Sequence, residues 1–163
     1  MEDVYVVDDS FTIVSGGQTG ADQAGLDWAI AHGRKHGGWC PKGRKTEDGV
    51  LAGAYLLTET PLASYLQRTE WNVRDSDATL VFTLTDKLDG GSKRTADFAG
   101  RLGKPWLHVR PGVHPKYVAR FLARHGVKTL NIGGKRESGA PGVSQFVDEI
   151  LSQALQVAAK PPG

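Results

Sequence analysis

From residue 11 to residue 155, short apolar runs alternate with longer stretches in which apolar side chains recur every three to four positions. Residues 11–14 form a β-prone run that ends in Ser15, Gly16 and Gly17, and residues 21–32 carry Leu26, Ala29 and Ile30 at helical spacing. Residues 37–41 admit a brief second strand. Residues 65–76 read as a helix with Leu66, Thr69 and Val73 as its apolar positions and Arg68, Asn72 and Asp75 as a polar stripe. The run 78–84 is apolar almost throughout, as in a strand covered on both faces. Residues 92–102 place Thr95, Phe98, Ala99 and Leu102 on one helix face and stop at Gly103-Lys104-Pro105. A strand at 106–109, a helix at 114–125 with Pro115 in its first turn, and a strand at 127–132 follow. Pro141 opens a last helix that buries Phe146, Val147, Ile150 and Leu151. Strands separated by helices predict parallel pairing with right-handed crossovers. The expected fold is a Rossmann-like three-layer α/β sandwich, a mostly parallel sheet flanked by helices. It is expected to form one domain over residues 1–163, with 1–8 and 160–163 as tails.

Composition narrows the setting. The single cysteine, Cys40, excludes an internal disulfide framework and any multi-cysteine metal site. No apolar run approaches the ~18 residues of a membrane span, and the acidic start MEDVYVVDDS lacks a signal peptide's basic region. The expectation is a cytoplasmic protein with no membrane partner. The net charge of +2 is unevenly distributed. Nine basic residues and no acid lie between Asp97 and Glu137, which leaves 11 of the 20 basic residues to face all 18 acids. Such asymmetry favours an anionic ligand. The basic stretches lack the interleaved aromatics and motifs of nucleic-acid readers, so nucleic acid is not expected.

Ligands of parallel α/β sheets lie beyond the carboxyl ends of the strands, and three strands there run into glycine-rich segments. The first is Ser15-Gly16-Gly17-Gln18-Thr19-Gly20-Ala21-Asp22. It is neither a Walker loop nor GxGxxG, but its glycines allow close backbone approach and the helix behind it presents unpaired N–H groups that suit an anion. The second, Asp89-Gly90-Gly91-Ser92-Lys93-Arg94-Thr95, also precedes a helix; the third, Asn131-Ile132-Gly133-Gly134-Lys135-Arg136-Glu137-Ser138, leaves the last strand. Each alone is compatible with a plain turn, and together they outline an oxyanion or phosphate site. His32 and His36 have a metal-ligand spacing, but Gly33 and Gly37 end the helix there and no carboxylate is near in sequence; no metal site and no catalytic pair are assigned.

The runs from Ser15 to Asp27, Gly38 to Arg44 and Arg68 to Asp77, with Gly90-Gly91-Ser92, Gly103-Lys104-Pro105 and Asn131 through Pro141, resemble the molybdenum carrier family. These are molybdenum-cofactor carrier proteins of the SLOG/LOG-like Rossmannoid superfamily, which also holds the cytokinin-activating phosphoribohydrolases. The resemblance spans residues 11–155. It implies a homo-oligomer, dimer or tetramer, that binds the molybdenum cofactor (molybdopterin) or related molybdate- or phosphate-type oxyanions. Cofactor-biosynthesis proteins and molybdoenzymes would be its donors and acceptors. The implied binding residues are Gly16, Gly17, Gln18, Thr19, Gly20 and Asp22 of the first loop; Lys42, Arg44, Arg68 and Asn72; Gly90, Gly91, Ser92 and Thr95 of the second; and Asn131, Arg136 and Ser138 of the third. The phosphoribohydrolases carry Pro-Gly-Gly-x-Gly-Thr-x-x-Glu where this chain has Asp89 through Asp97, without the Pro, the third Gly or the Glu. The resemblance also implies a Pro near Lys135 that this chain does not have there. Binding is therefore favoured over N-glycosidic hydrolysis, with a nucleotide-processing enzyme and a nucleotide-derivative sensing module as alternatives on the same scaffold.

Overall fold

A computed structural model describes residues 3–159. In chain order the elements are strand β1 (Tyr5–Val7), strand β2 (Thr12–Val14), helix α1 (Ala21–Ala31), and strands β3 (Lys35–Gly37) and β4 (Trp39–Cys40). Then come strands β5 (Lys45–Thr46), β6 (Gly49–Val50) and β7 (Thr58–Glu59), and helix α2 (Tyr65–Arg74). Strand β8 (Ala78–Phe82), helix α3 (Gly90–Arg101), strand β9 (Trp106–Val109) and helix α4 (Pro115–His125) follow. Strand β10 (Thr129–Gly134), a short 3-10 turn (Glu137–Gly139), helix α5 (Val143–Ala154) and strand β11 (Leu155–Val157) complete the fold.

The five principal strands form one parallel sheet in the order β3-β2-β10-β8-β9. Helices α1, α4 and α5 lie on one face and α2 and α3 on the other. This is the Rossmann-like α/β layering expected from the alternation. The strand order carries a further message. Counting β10 first turns the order into 3-2-1-4-5, that of a doubly wound Rossmann sheet. The chain thus has the connectivity of such a sheet with its first βα unit moved to the end. The parallel pair β1–β11, with Tyr5 opposite Leu155 and Val7 opposite Val157, holds the two ends of this rearranged chain side by side.

That pair corrects one expectation. Residues 1–8 were expected as a tail, yet Tyr5–Val7 is a strand, Val7 is buried, and the Tyr5 hydroxyl donates to the Val127 carbonyl at 2.8 Å. Three alternating residues are too short a run to stand out from a polar end. Residues 1, 2 and 160–163 lie outside the described residues. Among the described residues, no helix is long and apolar enough to cross a membrane.

The core explains the layering. In β8, Ala78, Leu80 and Phe82 point towards α1, α4 and α5, and so do Leu130 and Ile132 of β10. They meet Trp28, Leu122, Val147 and Leu151 there. Gly25 of α1 packs against Ile132 so closely that a Cβ would sit 2.8 Å from its Cγ1, which draws helix and sheet together. On the opposite face the apolar cluster shrinks to Val73, Phe98 and Ala99.

Candidate functional site

Between α2 and α3, at the carboxyl end of β10, lies an open cleft of about 260 Å³. The β10–β8 boundary is the place where strand order reverses in the rearranged Rossmann sheet, and crevices form at such switch points. All three glycine-rich segments reach it: Gly16, Gln18 and Asp22 from the first, Gly91, Ser92 and Thr95 from the second, and Asn131 and Arg136 from the third. Arg68 and Asn72 of α2 complete the predicted residues that line it.

Asp22 and Arg68 form its floor. Asp22 is in the first turn of α1 and 5% exposed; its Oδ2 accepts from Arg68 Nη1 at 3.0 Å and from the Gln18 backbone N–H at 3.2 Å. Burial pushes the Asp22 carboxyl up, against the pull of the Arg68 guanidinium and the Gln18 amide. The guanidinium lies over Gly16, where any Cβ would collide with it. Two buried donors on this floor have no partner among the described residues, Gln18 Nε2 and Arg68 Nε. A buried polar group without a partner costs roughly 1–3 kcal/mol, so such donors mark places for a ligand or water.

The first loop departs from the anion nest expected of it. Its N–H groups are largely taken: Gly17 donates to Ser15 Oγ at 3.4 Å, Gln18 to Asp22, and Thr19 to Gln18 Oε1 at 3.1 Å. The Ala21 N–H donates to the Lys135 carbonyl at 3.0 Å. An acidic side chain, Asp22, already occupies the positive end of α1. Gly17, Thr19 and Gly20 do not line the cleft.

Glu47, absent from the sequence reading, explains where Thr19 and Ser138 go instead. It sits between β5 and β6 and accepts from both of their hydroxyls and from the Ser138 N–H at 3.2 Å. These bonds hold its carboxyl below the usual range. The Thr19 Oγ1 in turn accepts from the Glu137 N–H at 3.2 Å. The β5–β6 hairpin thus latches the first and third loops together, and Ser138 stays outside the cleft.

Lys42 and Arg44 are also placed away from the cleft. Lys42 is exposed, and the Arg44 guanidinium donates to the Ala52 and Tyr55 carbonyls, both at 2.9 Å, clamping the segment that follows β6. A cationic side chain in a polar excursion reads as a ligand contact from sequence; here the carbonyls of that excursion claim it as a second donor. Gly90 opens α3 but does not line the cleft.

On α2 the predicted apolar position Val73 is buried as expected, but the other positions depart from a simple apolar and polar division. Asn72 is buried and grips the backbone of one residue on both sides, accepting from the Trp39 N–H at 2.8 Å and donating to the Trp39 carbonyl at 2.9 Å. Leu66 and Thr69, read as core positions, line the cleft instead, and Leu66 is 47% exposed.

The rim adds basic residues that the sequence reading left unassigned. Arg94 lines the cleft one turn into α3, on the face shared with Gly91 and Thr95, a spacing visible in the sequence. Arg94 and Arg136 are exposed and have no ion pair among the described residues, whereas Lys135 pairs with Asp89. The Asp89 N–H donates to Ser92 Oγ at 3.2 Å, which seats the α3 N-terminus beside these side chains. Asp97, where the phosphoribohydrolase pattern has its Glu, is exposed and paired with Lys93 at 3.0 Å, outside the cleft. His32 stacks on Trp28 and His36 accepts from the Leu56 N–H, so the two histidines hold separate structural places.

No curated protein matches the chain. The solved structure titled "Crystal structure of Putative molybdenum carrier protein" from Syntrophus aciditrophicus SB is similar over 86% of this chain and 92% of that one, with 41% identity and a TM-score of 0.83. The family model described as the circularly permutated YpsA SLOG family matches residues 13–155. Its description agrees with a Rossmann order recovered only when the last sheet strand is counted first, and the chain belongs to this family.

Proposed function

We propose that the cleft binds the molybdenum cofactor, a pterin with dithiolene-held molybdate and a terminal phosphate monoester. The protein carries it in the cytoplasm between cofactor-biosynthesis proteins and molybdoenzymes, as a dimer or tetramer. The observation that carries this reading is the composition of the cleft. Two arginines without an ion pair among the described residues, Arg94 and Arg136, and the α3 N-terminus stand at its rim, above a floor whose donors Gln18 Nε2 and Arg68 Nε have no partner among those residues either. Guanidinium groups and helix N-termini suit phosphate and molybdate oxygens, and buried amide donors suit a ring heteroatom. The neighbour's title, a molybdenum carrier, supports the same cargo. A carrier makes and breaks no bond in its cargo, and so requires no acid–base pair.

The position of the cleft at a Rossmann switch point favours a second reading, a nucleotide-derivative sensor. Anaerobic purification followed by mass spectrometry and metal analysis separates the two. Recovery of a molybdopterin with molybdenum is expected. A nucleotide in its place overturns the carrier reading, and turnover of a nucleoside monophosphate would place the protein with the hydrolases.

A further inference from the structure

We infer that Asp22 selects the ligand ring: its carboxylate accepts from the amino–imino edge of a 2-amino-4-oxo heterocycle, and Gln18 Nε2 donates to the ring carbonyl. The inference deepens the ring-binding part of the proposed function and does not depend on molybdenum.

Three features of the floor lead to it. Asp22 Oδ2 is occupied by Arg68 and Gln18, whereas Oδ1 has no partner among the described residues although Asp22 lines the cleft. A buried carboxylate repels an anion, so phosphate and molybdate oxygens are directed to the Arg94–Arg136 rim. The carboxylate is already balanced by Arg68, so a cationic ligand group would leave uncompensated charge; a neutral donor does not. The floor therefore calls for neutral N–H or O–H donors.

Gln18 decides between these. It is 6% exposed, its Oε1 is held by the Thr19 and Glu47 N–H groups, and its buried Nε2 has no partner among the described residues. A hydroxyl would satisfy Asp22 and leave this amide unpartnered. Adenine offers its single amino group beside a ring nitrogen and leaves a lone pair of Oδ1 unused. The edge shared by guanine and pterin presents an amino group, an adjacent ring N–H and then a carbonyl, two donors and one acceptor in a row. That matches a carboxylate oxygen with both lone pairs free and an unpartnered amide donor from a second residue of the same cleft.

The test uses pairs that differ only at the 2-position: pterin against lumazine, and guanosine against inosine 5′-monophosphate, by titration calorimetry at pH 7 with adenosine 5′-monophosphate alongside. The 2-amino member of each pair is expected to bind at least ~10-fold tighter, because a site built around an N–H donor leaves polar groups unpaired with the analogue lacking it. In Asp22→Asn the preference is expected to fall to within about twofold. Equal affinities within both pairs, a preference that survives Asp22→Asn in a folded protein, or no binding of any probe at millimolar concentration overturns the inference. If Asp22→Asn does not fold, the wild-type pairs decide alone. A clear preference without co-purifying molybdenum cofactor overturns the carrier reading and leaves Asp22 its role; cofactor recovery with pairs bound alike does the reverse.

Discussion

On the α1/α4/α5 side of the sheet, β8 and β10 present Ala78, Leu80, Phe82, Leu130 and Ile132 to a continuous apolar core. On the α2/α3 side the alternate residues of the same strands include Thr79, Asn131 and Gly133, and their neighbours include Ser92, Thr95 and Asn72. Asn131 Nδ2 donates to Thr79 Oγ1 at 3.2 Å, so even buried contacts on this side are polar. One sheet thus carries two surfaces of different purpose. The apolar face supplies most of the buried area that favours folding. The polar face gives up part of that gain, and what it gains is a cleft whose donors and charges are held in fixed places.

If that division holds, the largest loss of stability comes from the apolar face and leaves ligand binding alone. Phe82→Ala should cost about 3–5 kcal/mol, as deletion of a buried aromatic generally does. Urea unfolding should show this as a lower midpoint with nearly constant affinity in the folded fraction, and with little dependence on pH between 5 and 8.

Arg68→Ala tests whether the polar face also contains a structural element. An exposed polar stripe would tolerate the change, but Arg68 is buried against Asp22 with side-chain exposures of 14% and 7%. Removing one partner of a buried ion pair leaves the other uncompensated, a loss of about 3 kcal/mol at neutral pH. The sign of its pH dependence is distinctive. The Asp22 pKa is already raised in the folded state, and loss of Arg68 raises it further. The folded protein then holds a proton that the unfolded chain releases, so the deficit should shrink as pH falls from 7 towards the unfolded carboxylate pKa. A deficit that stays constant with pH would show that Arg68 matters through packing alone.

Arg94→Ala and Arg136→Ala should separate the two faces most cleanly. Both side chains are exposed and unpaired among the described residues, so melting temperatures should stay within about 2 °C of the parent. Loss of one charge-assisted contact should weaken binding of a phosphate-bearing ligand by about 1.5–3 kcal/mol, roughly 10- to 150-fold. Titration with the phosphorylated and unphosphorylated forms of one ring checks this. An equal loss for both forms would move the anion subsite elsewhere.

The apolar face was legible in the sequence because period-2 and period-3.6 patterns report burial directly: β8, β9, α4 and α5 lie where those patterns place them. The cleft was legible only as a location. Gly16, Asp22, Arg68 and Asn131 converge because strand ends of a parallel sheet converge, whereas their partners are set by contacts distant in sequence. Nothing local tells that Asn72 closes on Trp39, 33 residues away, or that Arg44 serves the carbonyls of 52 and 55. Likewise the two-residue strands β4 to β7 are too short to carry a period. The reordered sheet shows no local trace, since each βα unit reads the same wherever it stands in the chain.

The smallest expected effect concerns Glu47, which ties the β5–β6 hairpin to the loops above the polar face. Hydrogen bonds from Ser138 and Thr19 lower its folded-state pKa below the unfolded value. Its contribution is therefore present above the unfolded pKa and is lost as pH falls through the folded one, opposite in sign to that of Asp22. Glu47 is half-buried at the molecular surface, so global stability should barely change; the hairpin itself should loosen. Hydrogen exchange at residues 45–50, corrected for the intrinsic pH dependence of amide exchange, should accelerate on acidification in the parent protein. In Glu47→Gln exchange should be fast at every pH, because a neutral amide cannot accept from both hydroxyls and the Ser138 N–H as a carboxylate does. Exchange that is slow and independent of pH in both proteins would mean that apolar contacts hold the hairpin, Leu51 and Leu57 against Gly17 being the nearest. In that case the first and third loops are joined through the backbone bond from Ala21 to Lys135 and not through the Glu47 carboxylate.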